Sequence, residues 1–307
     1  GRWRQGAPAT LGLGCALLVA APLYVPTTEV PTRLYAARTL VPANLARDAV
    51  LDLVGLGESD DPVEASKPVR PLVVTQGPNT KPYNVVLFML ESMRWSATTP
   101  YNSALQTTPF LDRLAKEGTV IEQAYTTIPH TTKSITPLQC GLFAKVTPYF
   151  EEANPGALPS DCLARVLRRF GYATGHFIPS ETVYERNREL LTEYGYETIV
   201  GIEDYDPTGF EETSYFGYED KSILEPVLSW VEKQKKPFLL SYMSLMSHHY
   251  YGLPSTWKKR DFAPPGDYNK YLNTILYTDE FIADLYKGLE ERGLLENTVF
   301  VFIGDHG

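Results

Sequence analysis

Two kinds of apolar pattern alternate along the chain. Asn84-Val-Val-Leu-Phe-Met-Leu90 is apolar at almost every position and stops at Glu91, the pattern of a strand covered on both faces of a parallel sheet. A helix follows, with apolar Phe110, Leu111 and Leu114, starting near Thr107 or Thr108 with Pro109 in its first turn and ending before Gly118. The next apolar run, Val120 to Tyr125, reads as a second strand, and residues 142 to 160 read as a loop. Cys162 to Phe170 is an amphipathic helix stopped by Gly171, and Tyr172 to Pro179 is another strand. Thr182 to Tyr218 is aromatic, acidic and irregular, and no period assigns it. A helix from about Lys221 to Lys235 precedes the strand Pro237 to Leu245, which runs into Ser247-His248-His249. After a Pro-rich loop comes a long helix, Tyr268 to Arg292, stopped by Gly293. The last run, Thr298 to Ile303, predicts a buried strand ending in Gly304-Asp305-His306-Gly307. Alternation of strand and helix predicts an α/β sandwich with a mostly parallel central sheet flanked by helices. There are no internal repeats.

Upstream the pattern changes. Ala7 to Val25 is apolar and almost uncharged, long enough to cross a bilayer, with Arg2 and Arg4 before it. Residues 1–26 are therefore read as a transmembrane segment with a cytoplasmic N-terminus; a signal peptide and a buried helix are the competing readings, and Pro8, Pro22 and Pro26 weigh against any helix. Residues 27–80 read as a juxtamembrane linker, helix-like over Thr32 to Val54 and then acidic with prolines. Residues 81–307 form the catalytic unit. The chain opens on Gly1 and closes on Gly307 just after a site-like motif, as expected of a piece of a longer protein that is itself inactive.

Composition narrows the class. The 307 residues are 43% hydrophobic and 21% charged, enough for a large core. A net charge of −9 argues against a nucleic-acid partner, because backbone phosphates demand clustered Lys and Arg. The short basic groups, Lys233 to Lys236 and Lys258 to Arg260, read as solvated faces. With the orientation above, everything after about residue 30 lies outside the cytoplasm, where Cys140 and Cys162 are free to pair.

Candidate chemistry collects at strand ends. Glu91 follows the first strand, Thr131 comes shortly after the second, His248 and His249 follow a later one, and Asp305 with His306 follow the last. In an open parallel sheet the carboxyl ends of the strands border the ligand crevice. The stretch Pro129-His-Thr-Thr-Lys-Ser-Ile-Thr-Pro-Leu-Gln-Cys-Gly141 is unusually rich in hydroxyls; by itself it reads as a turn or helix cap. Glu91, Asp305 and His306 offer oxygen and nitrogen donors suited to Mn²⁺, Zn²⁺ or Mg²⁺, with Ca²⁺ a poorer match. A metal so held would lower the pKa of a threonine hydroxyl and make it a nucleophile. Lys133, Arg94 and His248 would then help neutralise a sulfate or phosphate oxygen.

These residues resemble the sulfatase branch of the alkaline-phosphatase superfamily. The likeness rests on Asn84 to Ser92, the Thr-Thr-Lys-Ser run closed by Gly141, His248, and Asn297 to Gly307. It is greatest to lipoteichoic-acid-synthase-type phosphoglycerol transferases and membrane sulfatase-like proteins. It implies an alkaline-phosphatase-like sandwich, a divalent metal on Glu91, Thr131, Asp305 and His306, and a covalent intermediate. Counting back from Gly141 by the family's spacing reaches Thr131, with Thr132 the second choice; Lys133 falls in the same motif, and His248, with His249 as alternate, stands where the family places a substrate-contacting His. True sulfatases need a Cys or Ser that is oxidised to an aldehyde, and threonine gives none. Glu91-Ser92 also replaces the usual Asp-Asp pair. The expectation is a membrane-anchored, extracytoplasmic phosphotransferase or phosphodiesterase acting on phosphate esters, lipid-linked ones included. A sulfatase using the same site and a non-catalytic relative of the fold are the alternatives.

Overall fold

A computed structural model describes residues 74–147 and 149–307. The apolar run Ala7 to Val25 and the helix-like stretch Thr32 to Val54 lie outside the described residues. Among the described residues, no helix is long and apolar enough to cross a membrane.

Five parallel strands form the sheet. In chain order they are β1 (Asn84–Leu90), β2 (Ala173–Phe177), β3 (Thr198–Val200), β6 (Phe238–Met243) and β7 (Thr298–Gly304), arranged β3-β2-β6-β1-β7. A small antiparallel pair, β4 (Glu212–Ser214) and β5 (Gly217–Tyr218), stands apart. The helices are α1 (Pro109–Glu117), α2 (Thr131–Cys140), α3 (Leu163–Arg169), α4 (Asn187–Tyr194), α5 (Leu224–Glu232) and α6 (Asp267–Glu290).

Alternation along β1 builds two cores. Val86, Phe88 and Leu90 point into one, with Leu111 of α1, Val227 of α5 and Ile282 of α6; Leu87 and Met89 point into the other, with Ile135 of α2, Ala164 of α3 and Leu190 of α4. Each strand side chain reaches the opposite face from its neighbour, so the apolar run needs helices on both sides. Helix α1 is tied to α6 through Asp279, whose carboxylate accepts from the backbone N–H groups of Phe110 (2.8 Å) and Leu111 (3.0 Å). Burial pushes that carboxyl up to about 6.

The structure departs from the sequence reading in four places. Val120 to Tyr125 forms no strand: Val120, Ile121 and Tyr125 are exposed, so the run buries no apolar face against the sheet. The hydroxyl-rich stretch is a helix whose first residue is Thr131, with Gly141 closing it in the left-handed conformation at φ 63°. The irregular segment holds α4, β3 and the β4–β5 pair. Finally, β7 is an edge strand rather than a buried one, with Val299 and Val301 exposed.

Cys140, the last residue of α2, is disulfide-bonded to Cys162, which caps the start of α3. The bond closes a loop of 22 residues in sequence separation. Removing it by the double substitution Cys140→Ala, Cys162→Ala is expected to lower unfolding free energy by about 3 kcal/mol, read from denaturant titration; a thiol titration of the unreduced native protein should find neither cysteine reactive.

Candidate active site

The register of the sheet brings the site together. Leu90 lies opposite Gly304, so the next residues, Glu91 and Asp305, leave adjacent strands side by side. Both are buried, at 3% and 2% exposure. Gly304 is required at its position, because a Cβ there would lie 2.5 Å from the Met93 carbonyl oxygen. Ser92 turns the chain in the left-handed region at φ 47°, a conformation a non-glycine residue adopts at some cost. That turn aims its N–H at Asp305 Oδ1 (2.8 Å) and its hydroxyl at Glu91 Oε1 (2.6 Å). On the other side of β1, β6 is followed by Ser244, whose hydroxyl oxygen accepts the Glu91 N–H at 2.9 Å.

Asp305 is unevenly satisfied. Oδ1 accepts the N–H groups of Ser92 and of His306 (2.6 Å), whereas Oδ2 is buried with no hydrogen-bond partner among the described residues. Burial and then the charge of Glu91 push this carboxyl up to about 8. His306, whose Nε2 lies 3.4 Å from Asp305 Oδ2 and 3.8 Å from Glu91 Oε1, is held below its ordinary value, chiefly by burial. One ligand atom from each of Glu91, Asp305 and His306 lies within 4.8 Å of the others. Two crowded carboxylates, one orphaned oxygen and a neutral imidazole form a donor set that a divalent cation satisfies.

Thr131 completes the cluster. As first residue of α2, with extended His130 as its cap, it points its hydroxyl at Glu91 Oε2 (2.9 Å) and sits 3.2 Å from His306 Nε2. Thr132 faces elsewhere, donating to Glu185. The first-turn N–H groups of a helix have no intrahelical acceptor, and here they open beside the cluster.

The other sequence candidates take different places. Lys133 is not free to meet an anion: its ammonium is buried, bonded to Glu152 at 2.8 Å and to the Tyr149 carbonyl. Two residues on from Thr131 in a helix, it necessarily points away from that residue's face. Arg94 is exposed and stacks over Tyr271 at 5.7 Å. His248 is half-buried. Its Nδ1 bonds the His249 carbonyl at 2.6 Å, and its ring packs against Tyr215 and Phe216 from the β4–β5 connection. His249 is exposed and bonds Tyr215.

Sequence reasoning missed two contributors. Ser244 lay inside an apolar strand with nothing to distinguish its hydroxyl. Glu185, bonded to Thr132 and 3.3 Å from His130 Nε2, lies in the segment that no periodicity resolved.

The sulfatase family model matches residues 83–307. The lipoteichoic acid synthase-like protein YvgJ of Bacillus subtilis is 24% identical over 229 residues, covering 73% of this chain and 36% of that protein. An ulvan-active sulfatase of Formosa agariphila is 28% identical over 274 residues, covering 76% of this chain and 52% of that protein. The chain thus spans between about a third and a half of the length of these relatives. A crystal structure of an alkaline-phosphatase-superfamily protein from Vibrio parahaemolyticus superposes with a TM-score of 0.63 at 21% identity, covering 74% of this chain and 55% of that one. The fold is shared.

Replacing Asp305 by Asn should leave the metal-free protein folded and abolish retention of divalent metal after dialysis, read by elemental mass spectrometry. Gly304→Ala, which forces the Met93 carbonyl to move, should destabilise by about 2 kcal/mol and weaken metal retention without touching a ligand.

Proposed function

The chain belongs to the sulfatase family, and on that premise we propose that it is a metal-dependent phosphotransferase or phosphodiesterase working through a covalent phosphothreonine at Thr131. The observation that carries this reading is the Thr131 hydroxyl bonded to Glu91 beside the unpartnered Asp305 oxygen. Glu91, Asp305, His306 and Thr131 would hold the divalent ion, which when bound lowers the hydroxyl pKa and offsets charge on the transferring group. Manganese, zinc and magnesium all suit these donors.

The chain's own residues account for the rest. Glu91 Oε2 accepts the Thr131 proton as the threonine oxygen bonds to phosphorus and the bond from phosphorus to the departing alkoxide breaks. The free N–H groups at the start of α2 meet the equatorial oxygens of the phosphoryl group. His248, with Nδ1 committed to a carbonyl, has Nε2 left to give a proton to the departing oxygen. In the second half an alcohol or water gives its proton to His248 Nε2 and attacks phosphorus, the phosphorus–threonine bond breaks, and Thr131 recovers its proton from Glu91.

Phosphate is preferred over sulfate because threonine cannot be converted to the aldehyde that sulfatases of this family use. The ulvan-active sulfatase among the relatives keeps sulfuric-ester hydrolysis as the second reading. We place the unit outside the cytoplasm on two supports: the Cys140–Cys162 disulfide, a bond that persists in oxidising compartments, and the apolar stretch Ala7 to Val25, read as an anchor. The esters it meets would include lipid-linked ones.

In the full-length protein Thr131→Ala should reduce phosphodiester turnover about a thousandfold or more, while Thr131→Ser retains part of it. A stalled reaction should yield a phosphoryl adduct on Thr131 by peptide mass spectrometry. Full metal-dependent turnover by the alanine variant, or turnover of aryl sulfates alone, would sink the reading.

A further inference from the structure

The edge of the sheet opposite the candidate site is basic. A cleft of about 610 Å³ is lined there by Arg165, Arg168 and Arg169 of α3 and by Lys233, Lys235 and Lys236 of the α5–β6 connection. Its floor is the start of β2, at Tyr172 and Ala173. These connections all lead into the amino ends of β2 and β6, where Ala173 N–H bonds the Pro237 carbonyl. Glu91 and Asp305 follow carboxyl ends of strands in the same parallel sheet, so cleft and site lie at opposite poles.

The six cations are not equivalent. Each arginine faces a carboxylate: Arg165 faces Glu193 at 3.9 Å, Arg168 faces Glu197 at 3.4 Å and Arg169 faces Asp161 at 2.6 Å. The three lysines are exposed and enter no salt bridge among the described residues. The nearest acid in sequence, Glu232, is held by Arg292 at 2.5 Å. Three exposed ammonium groups line one cleft with no salt-bridge partner among the described residues, in a chain of net charge −9, and form a local positive patch that attracts an anionic counterpart.

The incoming chain marks what that counterpart is. The residues leading into β1 arrive at this pole: the Tyr172 hydroxyl, in the cleft floor, donates to the Tyr83 carbonyl at 2.8 Å, and Lys81 lies over the Tyr83 ring. Upstream of them in the same chain lies the apolar run Ala7 to Val25. We propose that the cleft of Lys233, Lys235 and Lys236 docks on the anionic phospholipid headgroups of the membrane in which this chain is anchored. The proposal rests on the anchored reading given above.

The test uses the whole chain mixed with vesicles of phosphatidylcholine alone or with phosphatidylglycerol added. A water-soluble amine-acylating reagent then labels exposed lysines, read by peptide mass spectrometry. At low salt (about 50 mM) labelling of Lys233, Lys235 and Lys236 should fall about threefold or more when phosphatidylglycerol is present, and recover at about 0.5 M salt. Lys258 and Lys259, exposed in the loop beyond the carboxyl end of β6, should label equally in both. Equal labelling of the three cleft lysines in the two vesicle types overturns the proposal. So does equal protection by a soluble phosphodiester polymer without lipid, because the ligand would then be in solution. Co-flotation with phosphatidylcholine vesicles reads the anchor separately, and phosphodiester turnover reads the Thr131 chemistry separately.

Discussion

One half-satisfied carboxylate governs the site. Asp305 sits at the end of a strand where its backbone register with β1 is fixed by Leu90 and Gly304, and it spends one oxygen on two backbone N–H groups. The other oxygen has no hydrogen-bond partner among the described residues. A buried acceptor left bare costs about 1–3 kcal/mol, and a charged one more, a cost that the divalent ion proposed for this site would offset. Glu91 beside it deepens the demand, since two carboxylates in one dry space repel. Ser92 in its left-handed turn, Gly304 under the Met93 carbonyl and Ser244 on the next strand all serve to hold these two acids where they disfavour each other. The chemistry proposed for Thr131 depends on that crowding.

The parts of this arrangement that come from long periodic runs could be read in the amino-acid sequence. Runs such as Asn84 to Leu90 and Phe238 to Met243 are apolar on both faces because helices cover both, and that signal survives without coordinates. Glu91, Asp305 and His306 could be nominated because each breaks such a run. Val120 to Tyr125 carries a similar local signal and yet stays single, with every residue of the run exposed. Whether such a run joins a sheet depends on what covers it in the fold, which no local pattern encodes. The segment from Thr182 to Tyr218 stayed opaque for a related reason: α4 is two turns long, β3 has three residues, and both are held by tertiary contacts.

Lys133 shows a different limit. Spacing placed a cation within two residues of the proposed nucleophile, and a loop would have let it turn toward substrate. The helix does not. Its rotation sends Lys133 into the protein, where Glu152 holds it and it supports the turn around Tyr149. Residue type and proximity in sequence were both right, and the intervening secondary structure decided the direction.

Helix α2 is clamped at both ends. Thr132 is held by Glu185 in its first turn, and Cys140 is bonded to the start of α3 in its last. A rod pinned at two points can neither swivel nor slide along its axis. In the reaction proposed for Thr131, its oxygen therefore starts with little positional freedom to lose, and rigidity that looks like a matter of stability would count there toward the entropy of activation.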